Sequence, residues 1–180
     1  MANYIDGKVI VVTGAAGGFG KLLSSKAAQQ GARIVCADIN EEALQQTVDD
    51  IVSAGGTGMA VVTDVTKAES MHNMVTRALD EYGQVDVLVN NAGIMPLAFF
   101  SDHQQASDAW NRCIDINFKG VLNGITAVYD HMLANGQGHI VNVSSIYGKY
   151  PTAGGGVYGA TKAAVDFLSE SLRQECPGKI

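Results

Sequence analysis

The chain reads as an α/β protein in which a parallel sheet is covered by helices on both faces. Three observations predict this. Short apolar runs alternate with longer segments of helical periodicity along the 180 residues. The runs are apolar nearly throughout, as strands buried on both faces require. A glycine-rich turn joins the first run to the first helical segment, and a helix N-terminus reached this way can cradle an anion. Strands layered between helices share one core. Residues 1–180 therefore read as a single domain, without linker, internal repeat or low-complexity tract.

The elements follow in order. Val-Ile-Val-Val at 9–12 is a fully buried strand, and 19–30 is a helix stopped by Gly31. Residues 33–37 form a second buried strand. A helix over 41–54 ends at Gly55-Gly56, with Asp38 or Asn40 as its N-cap. Residues 59–62 are a third strand. In the helix over 68–82, Met71, Met74, Val75, Ala78 and Leu79 recur at three-and-four spacing. A fourth strand covers 85–89, a long helical region 106–134, a fifth strand 139–143 and a last helix 158–175. Leu97, Phe99 and Phe100 are expected as core contacts beneath a loop, with an apolar substrate wall as the alternative. Gly154-Gly155-Gly156 reads equally as a hinge or as slack.

Composition narrows the function classes. A hydrophobic content of 47% suffices for a core, and a chain of this size buries roughly 70% of its unfolded surface. The net charge of −6 with no basic cluster argues against nucleic acid. No apolar run approaches the ~20 residues of a bilayer span. The N-terminal sequence lacks a secretory pattern, so a cytoplasmic location is expected. Cys36, Cys113 and Cys176 show neither a disulfide framework nor a zinc spacing. His72, His103, His131 and His139 are scattered and are expected at the surface or in loops, and no metal is expected.

The chemistry gathers in three places. In Thr13-Gly14-Ala15-Ala16-Gly17-Gly18-Phe19-Gly20, Gly14 permits a tight turn and Gly18 lets backbone approach a diphosphate. Gly20 permits close helix packing, and the N–H groups of the helix start face the anion. Asp38 ends the second strand, where a carboxylate can accept hydrogen bonds from adenosine ribose hydroxyls and repel a 2′-phosphate. No Arg or Lys lies in the glycine loop, so NAD is expected in preference to NADP. Tyr158 and Lys162 are four residues apart and share one face of a helix. A tyrosine phenol titrates near pH ~10, and a neighbouring ammonium favours the phenolate. The pair reads as a proton-transfer device, with Ser145 as a hydrogen-bond donor to a substrate oxygen.

With these motifs in this order, nearly the whole chain resembles the short-chain dehydrogenase/reductase family. TGAAGGFG at 13–20 is similar to the family's TGxxxGxG, and Thr161 stands where YxASK has Ser. The resemblance implies a Rossmann-type doubly wound sheet of strand order 3-2-1-4-5. It places Asp64-Val65 beside the adenine. It makes Asn90-Asn91-Ala92-Gly93 the NNAG motif, with Asn90, Ala92 and Gly93 at the cofactor. Asn117, Ser145, Tyr158 and Lys162 become the catalytic set, with Ser145 and Tyr158 on the substrate. Thr13, Gly14, Gly18, Phe19, Gly20, Asp38, Tyr158 and Lys162 join the cofactor set. Lys162 would hold the nicotinamide ribose. Asn117 would mark a helix kink and a bound water, the other reading being a surface asparagine.

The expected activity is NAD(P)-dependent interconversion of a small-molecule secondary alcohol and a carbonyl. The expected assembly is a homodimer or homotetramer through the two long helices. The family continues into a sixth and a seventh strand and a helical lid. The domain is thus expected to be C-terminally incomplete, with Pro177-Gly178 a helix stop and Lys179-Ile180 the start of the sixth strand. The alternative function is an NAD-binding or scaffold protein without turnover.

Overall fold

The computed structural model describes residues 4–180. Among these, the strands are β1 (Val9–Thr13), β2 (Arg33–Asp38), β3 (Thr57–Val62), β4 (Val87–Asn90) and β5 (His139–Asn142). All pair in parallel, in the order β3-β2-β1-β4-β5. This is the expected doubly wound sheet. The helices are α1 (Gly18–Ala28), α2 (Glu41–Ser53), α3 (Ala68–Tyr82), α4 (His103–Ile114), α5 (Gly120–Asn135) and α6 (Gly156–Glu175).

The strand pleat divides β1 between two cores. Val9 and Val11 face Met71, Met74, Val75 and Ala78 of α3 and Val128 and Met132 of α5. Ile10 and Val12 face Ala27 and Ala28 of α1 and Leu44, Val48 and Ile51 of α2. That is why β1 shows no polar alternation. Edge position changes the pattern: β5 alternates exposed and half-buried residues, with Val141 39% exposed. β3 begins at Thr57, two residues earlier than expected, because its register against Arg33 of β2 continues that far. The long helical region divides into α4, a π-helical segment Asp115–Lys119, and α5. A smaller cluster of Val121, Ile125 and Val165 joins α5 to α6.

Two loop expectations are corrected. Leu97, Phe99 and Phe100 are 58%, 60% and 73% exposed, so they are not core contacts. Their loop lies at the surface, tied to the segment before α6 by the Ala98 N–H donating to the Gly154 carbonyl at 2.9 Å. Phe100 leans on Trp110 with ring centroids 5.8 Å apart. The three glycines are not slack. Gly154 holds φ at 74°. Gly155 is the buried N-cap of α6. Gly156 lies under Phe100, where a Cβ would come 3.2 Å from Cζ. Of the histidines, His72, His103 and His139 are exposed. His131 is half-buried on α5 and accepts the Val85 N–H at 3.2 Å.

Candidate active site

A cleft of about 700 Å³ opens at the carboxyl ends of β1, β2, β3 and β4. Its wall includes Gly14, Gly18, Phe19, Asp38, Asp64, Val65, Ala92 and Gly93 of the expected residues. The glycine loop is shaped for an anion. Gly14 has φ 70°, and a Cβ there would lie 2.8 Å from Asn91 Nδ2 and 2.9 Å from Ala92 Cα. Gly20 packs under the Gly14 carbonyl and the Asn91 side chain. A Cβ on Gly17 or Gly18 would meet nothing within 4 Å. The start of α1 carries no side-chain cap and no acidic residue in its first turn. Free helix N–H groups beside an open, side-chain-free surface suit a diphosphate, so the residues present fit a dinucleotide.

Thr13 and Asn90 sit behind this wall, not on it. Thr13 is buried; its hydroxyl accepts the Asn91 and Ala92 N–H groups at 3.0 and 3.1 Å and donates to the Val89 carbonyl at 3.3 Å. Asn90 is buried against Gly124 of α5 and donates to Asn142 Oδ1 at 2.8 Å. The side chain at the cleft is Asn91, which donates to the Thr13 carbonyl at 2.8 Å. Sequence reasoning passed over it although it stands inside the quoted NNAG motif.

The carboxylates differ in how they are held. Asp38 accepts the Ala16 N–H at 3.1 Å and the Asn40 N–H at 3.0 Å. Asn40, not Asp38, caps α2, accepting the Ala43 N–H at 3.1 Å. The cap reading of Asp38 is thereby excluded, and its carboxylate braces the glycine loop at the cleft wall. Asp64 accepts the Thr66 hydroxyl at 2.7 Å and pairs with Lys67 at 3.4 Å. The Thr66 hydroxyl is the main reason its carboxyl lies below the usual range.

The inner end of the cleft meets a buried polar cluster at Gly93. A Cβ on Gly93 would lie 3.3 Å from Asn117 Oδ1 and 3.7 Å from Lys162 Nζ. Asn117 is fully buried in the π-helical segment, so it is not a surface residue. Its Oδ1 accepts the Ile94 N–H and its Nδ2 donates to the Ile94 carbonyl, both at 2.9 Å. The same amide reaches Thr161 Oγ1 and Cys113 Sγ at 3.3 Å each.

Lys162, only 5% exposed, donates to the Val143 carbonyl at 2.6 Å. Burial pushes its ammonium below the ordinary lysine value, opposed by Cys113 and Asp166. Lys162 Nζ stands 5.9 Å from the Tyr158 ring centroid. Tyr147 packs edge-on to that ring at 6.3 Å. Ser145 Oγ, half-buried at the start of a short 3₁₀ turn, accepts the Tyr147 N–H at 3.2 Å. One helix thus brings Tyr158, Thr161 and Lys162 together, while Asn117 and Ser145 arrive from separate elements.

Gly17, Ile39, Arg112 and Ile116 also line the cleft and were not expected there. Ile39 follows a predicted site residue directly. Arg112 and Ile116 carry no local signal; only the packing of α4 brings them in.

A doubly wound sheet with its cleft at the strand ends, and with Lys162 of the lysine–tyrosine helix next to Gly93 of its wall, defines a nucleotide-binding α/β class. The chain belongs to the short chain dehydrogenase family, whose model matches residues 8–179. It is 44% identical over 171 residues to an uncharacterized oxidoreductase of Listeria monocytogenes, covering 95% of this chain and 68% of that protein. A short chain dehydrogenase/reductase from Burkholderia phymatum, solved in complex with NAD, superposes with a TM-score of 0.91 at 35% identity. That match covers 97% of this chain and 62% of the other. A metagenomic short-chain oxidoreductase in complex with NADP superposes at 0.89 with 33% identity, over 97% of this chain and 78% of its own. Among the described residues no helix is long and apolar enough to cross a membrane.

Proposed function

We propose that the protein is an oxidoreductase interconverting a small-molecule secondary alcohol and a carbonyl with a nicotinamide dinucleotide, NAD in preference to NADP. The observation that carries this reading is the buried Lys162 ammonium, 5.9 Å from the Tyr158 ring centroid and next to Gly93 of the glycine-walled cleft. The dinucleotide, when bound, supplies hydride transfer. Gly14, Gly18, Phe19 and Gly20 with the first turn of α1 hold the diphosphate. Thr13 and Asn90 serve that site from behind, by fixing the ends of β1 and β4. Asp38 takes the adenosine ribose; Asp64 and Val65 take the adenine. Ala92 and Gly93 floor the path toward the reacting end.

Ser145 donates a hydrogen bond from its hydroxyl to the substrate oxygen. Tyr158 accepts the alcohol proton in oxidation and returns one in reduction. Lys162 stabilises the phenolate electrostatically and holds the nicotinamide ribose. Asn117 acts by position, since its amide is committed to Ile94, Cys113 and Thr161. It supports a water relay from Lys162 to solvent. Asp38 favours NAD because a 2′-phosphate would meet a carboxylate already anchored to backbone. A cytoplasmic location belongs to this proposal, and the exposed Leu122 of α5 and Phe167 of α6 support a homodimer or homotetramer through these two helices.

The test is the protein with NAD and a panel of secondary alcohols, alongside NADH titration. Tyr158→Phe is expected to abolish turnover while NADH binding stays within about twofold, since general acid–base catalysis contributes ~10²–10⁴-fold. Near-normal kcat in that variant overturns the assignment. NADH binding with no turnover in the parent protein supports a binding role instead.

A further inference from the structure

The dinucleotide cleft is unusually acidic for a site meant to receive a diphosphate. Asp38, Asp64 and Asp115 line it, and the glycine loop contains no basic residue. The carboxylates are already answered within the protein. Asp38 is held by two backbone N–H groups, Asp64 by Thr66 and Lys67, and Asp115 by Lys119 at 2.6 Å. One cation remains on the wall. Arg112, exposed in the last turn of α4, lines the cleft with a side chain that makes no hydrogen bond or ion pair among the described residues.

Its place along the cleft follows from the helix. Ile116 lies four residues further on and lines the same wall. Four residues beyond that, Gly120 packs on the Val65 side chain, where a Cβ would come 2.9 Å from Cγ2. This face of α4 and its π-helical continuation therefore runs along the cleft from Arg112 toward Val65, two turns or about 12 Å away. Ile39, 68% exposed, lines the same cleft. In the proposed binding mode the glycine loop and the start of α1 account for the diphosphate, which leaves the base for the guanidinium on this face.

We infer, resting on the dinucleotide reading above, that Arg112 is an adenine-binding residue whose planar guanidinium stacks on the base opposite Ile39. An arginine fits this task better than a lysine because it is flat and weakly hydrated. Stacking a cation on an aromatic face at an exposed site corresponds to a few-fold in affinity.

The experiment measures dissociation constants of the whole protein for NADH, AMP and nicotinamide mononucleotide. Parent, Arg112→Met and Arg112→Lys proteins are compared. Arg112→Met is expected to weaken NADH and AMP by about fivefold and to leave nicotinamide mononucleotide unchanged. Arg112→Lys, which keeps the charge and loses the plane, is expected to behave like the methionine variant. Full affinity in Arg112→Lys overturns the stacking role in favour of plain charge. Unchanged NADH affinity in Arg112→Met overturns any role for the residue. A parent protein that binds none of the three overturns the dinucleotide reading itself.

Discussion

The two ends of the sheet handle buried charge in opposite ways. At the amino ends, Asp86 is wholly satisfied by its neighbours. It accepts the Val9 N–H at 2.8 Å, the Lys8 ammonium at 3.0 Å and the Gln84 amide at 2.8 Å. Its own N–H donates to the Val9 carbonyl, and its carbonyl accepts the His139 N–H. One residue thereby sets the starting register of β1, β4 and β5. At the carboxyl ends, Lys162 is buried with no ion pair among the described residues, donates to the Val143 carbonyl and has Gly93 next to it. The first end stabilises. The second holds a desolvated cation answered only by a backbone carbonyl and more distant charge, which packing alone would not select.

The largest expected effect falls on the second end. Lys162→Met should lower kcat by about a thousandfold. The unfolding free energy should change by less than about 2 kcal/mol, because removing a desolvated ammonium offsets the lost hydrogen bond to the Val143 carbonyl. A large loss of stability with unchanged turnover would reverse the contrast. Asp86→Ala should do the opposite. Denaturant unfolding should show a loss of about 3 kcal/mol, since the Lys8 ammonium and the Val9 N–H lose their partner, while NADH affinity is retained.

Asp86 also sets an acid limit. Burial alone would raise its carboxyl, but the Val9 N–H, Lys8 and Gln84 outweigh burial and hold it below the usual range. Its contribution is complete above the unfolded carboxylate value near ~3.9 and fades as pH falls through the lower folded value. Asp86→Asn should flatten the stability profile in that window, measured by urea midpoints at successive pH values.

Gly14→Ala should weaken NADH by more than about tenfold, because the left-handed backbone and the Asn91 contact both resist a Cβ. Retained affinity would mean that the loop shape does not matter. Smallest is Asp38→Ala, expected to narrow the preference for NAD over NADP by about fivefold, the scale of one charge-assisted hydrogen bond at a partly exposed site. Equal NAD and NADP affinities in both proteins would leave Asp38 as a brace for Ala16 and nothing more.

The sequence by itself determined the layer pattern. Val9–Val12 is apolar on both faces, and Met71, Met74, Val75 and Ala78 recur at helical spacing. Burial selects residues locally, so the buried runs announce themselves. It also marked the glycine loop, Asp38 and the Tyr158–Lys162 face, because each depends on residues near in sequence. Long-range packing, by contrast, made Asn117 a buried clamp on Ile94, set Asn90 and Thr13 behind the cleft with Asn91 facing it, and left Leu97, Phe99 and Phe100 exposed. It alone brought Arg112 to the cleft wall. Those outcomes depend on contacts between segments tens of residues apart, and the same side chain is core, clamp or wall according to what packs against it.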